Sequence, residues 1–298
     1  MHSVQKRFST TQAIAAIIIA VFALSLGDAL IKGTAQAMPI WQMLILRSAI
    51  VVPVLWWLAT RNGGARLRVS RWVILRSAFL AMMWVSFYLS LTLLPLSIAA
   101  ATYYTGPLMI VALAALVARQ WPGLLIVLAV IGGFVGVVLV IQPDVSDFRL
   151  ATLLPLLSAL LYAIAMILTA EKCHDDDPFV LGLFLNVALI VTGAGLAVFS
   201  GTEGSYIFGP WQSIDLALIG IVAVLAVMLL IGCVGAAIAY QNGPPATIAA
   251  FDYSFLVFSL TWGMLFFAEY PGPLAWIGMV VIVGTGLLAL PRGTANDT

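Results

Sequence analysis

Apolar residues fall along this chain in long runs bounded by Pro, Gly and charged residues. Read against the roughly 20 apolar residues that a helix needs to cross a bilayer, the runs predict about ten membrane spans. They cover residues 12–32, 39–59, 72–93, 97–117, 123–141, 150–170, 179–200, 213–240, 245–268 and 272–291. The polar gaps between them are short, so no room remains for a soluble catalytic domain. The expected fold is an all-α membrane protein.

The first run needs separate treatment. Lys6 and Arg7 precede it and Ala35-Gln36-Ala37 follows it, a layout that resembles a cleavable signal peptide. Its apolar stretch of about 20 residues is longer than a signal core, which favours its retention as a membrane helix. Orientation follows from Lys and Arg in the loops. With the N-terminus inside, the inner side collects Lys6, Arg7, Arg61, Arg66, Arg68, Arg71, Arg119, Lys172 and Arg292, against Arg149 and Lys32 outside. Both termini are therefore expected in the cytoplasm, with the chain in a bacterial inner membrane.

An internal repeat organises the spans. A gapless shift of 150 residues lays Leu94 to Tyr103 on Pro244 to Tyr253, and Pro95, Ile98, Ala99, Ala100 and Tyr103 recur as Pro245, Ile248, Ala249, Ala250 and Tyr253. The expected organisation is a five-helix unit over residues 12–141 and a second over residues 150–291. An odd number of spans inserts the second unit with opposite polarity, so the halves become inverted repeats suited to alternating access.

Composition narrows the function. Charged residues make up 8% of the chain and hydrophobic residues 63%, where soluble domains carry roughly 25% charged residues. The net charge of +1 excludes a nucleic-acid-binding surface. Cys173 and Cys233 have neither CxxC spacing nor histidines at metal spacing, so no metal or cofactor is expected. Neither HExxH nor Gly-x-Ser-x-Gly occurs, and the run His174-Asp175-Asp176-Asp177 reads as a solvated loop in preference to a divalent-ion site. Glycine faces at Gly132, Gly136, Gly278, Gly284 and Gly286 serve close helix packing or homodimer formation.

Ionisable side chains within a span cost several kcal/mol unless they meet a cavity or a partner. Asp28, Arg47 and Asp252 are the central cases, with Lys32, Arg76 and Glu269 nearer the ends. Asp28 and Lys32 share a helix face, and Arg47 is expected to be held by Asp28, either as a packing network or along a substrate path. Asp252 has no partner nearby in sequence, which makes it a candidate for substrate or proton contact. Trp84, Tyr88 and Tyr162 lie away from the interfaces where polar aromatics belong, so their polar groups point to a lined cavity. Tyr103, Tyr104, Tyr253 and Asn186 complete the candidate substrate-binding set.

With these motifs in view, nearly the whole chain resembles the EamA-like branch of the drug/metabolite transporter superfamily. The resemblance is carried by Leu94 to Ala101, Pro244 to Phe251, Phe266-Phe267-Ala268-Glu269 and the Gly278 to Gly286 run. It implies a small organic solute moved through a central cavity between the helices. Arg119 departs from the acidic residue that often stands at that point in the family. Asp28-xxx-Lys32, Arg47 and Leu75-Arg76-Ser77 further resemble members that take up S-adenosylmethionine or riboflavin. The expected function is secondary transport of a small polar, zwitterionic metabolite, an amino acid or S-adenosylmethionine-like. An exporter of amino acids or aromatic compounds is the first alternative, and a non-transporting accessory or receptor protein is the second.

Overall fold

Inside hydrocarbon no water is present to satisfy a backbone N–H or C=O, so each apolar run must close its own hydrogen bonds as a helix. A computed structural model describes residues 9–34, 38–61, 69–90, 93–94, 96–143, 150–202, 205, 207–268 and 270–289. Lys6, Arg7, Ala35-Gln36-Ala37, Arg66, Arg68, Arg149, Glu269 and Arg292 lie outside the described residues, as does the side chain of Lys32. Among the described residues the structure is helical, without strands. It comprises α1 (Thr10–Thr34), α2 (Ile40–Arg61), α3 (Arg71–Ser90), α4 (Leu96–Tyr103), α5 (Gly106–Ala118) and α6 (Leu124–Ile141). A 3-10 turn at Leu150–Thr152 leads into α7 (Leu153–Lys172). There follow α8 (Pro178–Ala197), α9 (Leu216–Asn242), α10 (Pro245–Asp252), α11 (Ser254–Phe267) and α12 (Pro273–Leu288).

Among the described residues eight segments are long and apolar enough to cross a membrane, counting Pro245–Phe267 as one, while Gly106–Ala118 and Pro273–Leu288 are apolar but shorter. The shortness of α5 has a local cause. Pro107 has no N–H for the carbonyl of Tyr103, and Thr105 Oγ1 donates to Thr102 O at 2.7 Å, so the helix interrupts at Tyr104 and Thr105. A second interruption falls at Tyr253, where Ser254 Oγ donates to Phe251 O at 2.6 Å.

The helices pack as long pairs. α1 lies along α9 and α11, α2 along α8, α3 along α7, α5 along α7, and α6 along α12. Each of these pairs joins a helix from before residue 142 to one from after residue 150. Lipid-facing positions include Leu116, Val191, Leu265 and Val280, all exposed. Basic groups and tryptophans gather at one end, with Arg61 4.8 Å from the Trp57 ring and both Arg71 and Lys172 over Trp72. This is the arrangement of an interfacial belt.

The glycine face turns inward. Gly136 and Gly278 sit against each other across the α6–α12 interface, where a Cβ on Gly278 would stand 2.6 Å from Gly136 O. Gly132, Gly136 and Gly278 therefore serve packing within one chain. The His174–Asp177 run is likewise absorbed by the structure: Asp177 Oδ1 caps α8 by accepting from Phe179 N at 2.7 Å, and His174 pairs with Asp175 at 2.8 Å. Gln241 on α9 ties this turn down by donating to the carbonyls of Cys173 and Asp176. Burial pushes the Cys173 thiol up to about 12, so it stays protonated and unreactive near neutrality.

Candidate functional site

Asp252 is the last residue of α10, ahead of the interruption at Tyr253, and is 6% exposed. Its Oδ2 accepts from Tyr240 OH at 2.6 Å and from Tyr162 OH at 3.0 Å. The first distance is that of a short hydrogen bond. Tyr240 comes from α9 and Tyr162 from α7, so three helices converge on one carboxylate. Oδ1 is buried without a hydrogen-bond partner, and no Lys, Arg or His lies within 4 Å of the group among the described residues. A carboxylate in this setting is stabilised by two hydroxyls only and retains one acceptor face for something else.

Tyr240 was not among the residues singled out from the sequence. It lies three residues before the Gly243-Pro244-Pro245 turn, where a tyrosine reads as an interface residue. The available signal was the turn itself, which is short enough to fold α10 back beside α9 and bring Tyr240 against Asp252.

Arg47 forms a second polar centre, 4% exposed, with its guanidinium carbon 5.3 Å from the centroid of Trp84. Asp28 acts on it electrostatically, yet no ion pair within 4 Å joins them among the described residues. The expected Asp28–Arg47 bridge is thus replaced by contact with an aromatic face. The physical reason is rotation of the helices: Arg47 projects toward α3, and Asp28 keeps accessible surface of its own. Arg47 Nε and Nη2 are buried without a hydrogen-bond partner.

Aromatic rings connect the two centres. Trp84 stacks on Tyr88 at 5.3 Å, Tyr88 touches Phe87, and Phe87 lies 5.1 Å from Tyr103. Tyr103 then meets Tyr162 at 6.1 Å, the same Tyr162 that holds Asp252. Tyr104 packs between Tyr103 and Tyr253. Nine of the ten candidate residues are thereby linked through ring contacts, hydrogen bonds or the Asp28 field. Asn186 stands apart, donating to Gly182 O within its own helix and lying 3.9 Å from Cys233 Sγ. Arg76 is also outside the network. It donates to Thr169 Oγ1 at 2.9 Å and Leu181 O at 3.2 Å, bracing α3 against α7 and α8.

Apolar helices around a buried polar path of this kind are those of a multi-pass membrane protein. Residues 11–142 match the EamA-like transporter family. It is similar to a riboflavin transporter of Brucella anthropi, 25% identical over 86% of this chain and 88% of the relative. A riboflavin transporter of Vibrio cholerae is 26% identical over 80% of this chain and 78% of the relative. The pseudopaline exporter CntI of Pseudomonas aeruginosa is 25% identical over 92% of this chain and 94% of the relative. A solved crystal structure at 18% identity shares the fold, with a TM-score of 0.79 over 94% of this chain and 96% of that one.

Proposed function

We propose that the protein is a secondary transporter that moves a small polar, zwitterionic organic metabolite across the bacterial inner membrane by alternating access. The observation that carries the reading is Asp252, a buried carboxylate with one unpartnered oxygen, set at a helix interruption and joined by aromatic contacts to Arg47, whose Nε and Nη2 have no hydrogen-bond partner. Discontinuous helices that present polar groups near mid-membrane are the usual site of solute recognition in such folds. An amine would meet Asp252 or Asp28, and a carboxylate a basic group.

The architecture we propose is ten spans in two inverted five-helix units, residues 12–141 and 150–291. Two features support it. The interruptions at Tyr104–Thr105 and at Tyr253 fall at closely corresponding points of the 150-residue shift. The packing is also consistent with a pseudo-two-fold axis, because α1 with α9 has its counterpart in α7 with α3, and α1 with α11 in α7 with α5.

Flux into proteoliposomes tests the reading, with radiolabelled amino acids, S-adenosylmethionine and riboflavin as trial solutes. Uptake of at least one above protein-free vesicles is the expected result. No flux of any of them would leave the accessory or receptor reading. The match to an exporter over most of the chain favours outward transport as a second reading, and imposed gradients of either sign decide between the two.

Orientation is tested by cysteine labelling, for which the buried native thiols give a low background. Gly64→Cys is expected to be shielded from an impermeant maleimide in intact cells and Asp144→Cys to be labelled, since arginines crowd residues 61–71. Labelling of Gly64→Cys from outside would invert every loop.

A further inference from the structure

The two unpartnered nitrogens of Arg47 are a specific pair. Nε and Nη2 share one edge of the guanidinium and point their N–H groups in parallel, at the spacing of the two oxygens of a carboxylate. A buried guanidinium that served the fold would be expected to spend its N–H groups on acceptors of the protein, as Arg76 does with Nε to the Thr169 hydroxyl and Nη1 to Leu181 O. Arg47 leaves Nε and Nη2 without one; its guanidinium lies over the Trp84 ring, and Asp28, which acts on it electrostatically, makes no ion pair with it among the described residues. The Trp84 ring, 5.3 Å from the guanidinium carbon, braces the fork while leaving its donating edge unspent.

We infer that the Nε–Nη2 edge of Arg47, laid on Trp84, is the element that recognises the carboxylate of the transported solute, side-on and through two hydrogen bonds. This deepens the transport reading and rests on it. It commits the solute to a planar two-oxygen anion at one end, with the Trp84–Tyr88 stack beside the bound group and Asp252 at the far end of the ring path. A lysine in place of Arg47 would keep the charge and lose the fork. An apolar residue there would remove a buried group that the fold leaves unsatisfied.

Thermal unfolding of the purified protein in detergent provides the test, with three matched pairs as probes: acetate and acetamide, benzoate and benzamide, phenylalanine and phenylalaninamide. At least one carboxylate is expected to raise the Tm by about 2–5 °C in a saturable manner while its amide does not. Arg47→Lys should weaken that carboxylate about tenfold or more. Arg47→Met alone should unfold within about 2 °C of the wild type or above it, because the edge it deletes has no partner in the fold. Equal shifts from acid and amide in all three pairs, or an unchanged carboxylate affinity in Arg47→Lys, would overturn the fork. Unfolding of Arg47→Met well below wild type would assign Arg47 to packing. Solute flux without a carboxylate preference strikes this inference and spares the transport reading; carboxylate binding without flux does the reverse.

Discussion

Asp252→Asn is expected to yield a folded protein with an unfolding temperature at or above that of the wild type and with solute flux reduced at least about tenfold. Asn has nearly the volume of Asp, and its carbonyl oxygen still accepts from Tyr240 and Tyr162, so the junction of α7, α9 and α10 keeps its hydrogen bonds. Among the described residues no cation stands beside the carboxylate, so removing its charge relieves a desolvation penalty that no ion pair offsets. Function moves the other way. The unpartnered Oδ1 is the acceptor that a solute ammonium or a proton would use, and loss of one charged hydrogen bond is worth about 1.5–3 kcal/mol, tenfold to a hundredfold in occupancy. Initial rates in proteoliposomes and a thermal unfolding curve of the same preparation provide both halves of the measurement. Flux equal to wild type from a stable Asp252→Asn protein would take Asp252 out of the solute path. A fall in stability would mean that the charge itself holds the three helices together.

Gly278→Leu is expected to abolish the folded protein, whereas Gly284→Leu, six residues along the same helix, should fold as wild type does. A Cβ at 278 would stand 2.6 Å from Gly136 O and 3.0 Å from Val140 N, both backbone atoms that cannot rotate away. Even Ala there forces α6 and α12 apart at a cost of about 1–3 kcal/mol, and the longer side chain adds to it. At Gly284 nothing stands within 4 Å of the added Cβ. The yield of monodisperse protein from size-exclusion chromatography separates the two. If both variants elute normally, the α6–α12 contact does not hold the chain together; if both fail, the defect lies in insertion of the last helix.

These variants bear on what the chain reveals before it folds. Of the ten runs that hydropathy marked, eight are helices long and apolar enough to cross a membrane among the described residues, because the demand of hydrocarbon on a backbone is local: a run such as Leu216–Asn242 of α9 must be helical whatever packs beside it. The same locality marked Asp252, Arg47, Trp84 and Tyr162 as residues with no business facing lipid. The energy of a charge or hydroxyl in hydrocarbon is prohibitive before any partner is known.

Partners are another matter, because they depend on how each helix is rotated and how closely it approaches its neighbours. Arg47 and Asp28 are opposite charges on consecutive helices, which suggested a bridge; in the fold Arg47 turns to Trp84 instead. Tyr240 was not singled out from the sequence, yet it makes the shorter of the two bonds to Asp252, since the turn at Gly243 sets α9 against α10. Asn186 was grouped with the site on polarity alone, yet α8 directs it to its own helix and Cys233. The glycines of α6 and α12 left packing and dimerisation open, and the pairing of those two helices assigned Gly132, Gly136 and Gly278 to packing. The sequence by itself therefore determined which segments are apolar enough to enter a membrane and which side chains are costly against lipid, both being transfer energies of single residues or runs. Only the tertiary structure decided which of those side chains meet, since that is set by the summed packing of all the helices and by no residue alone.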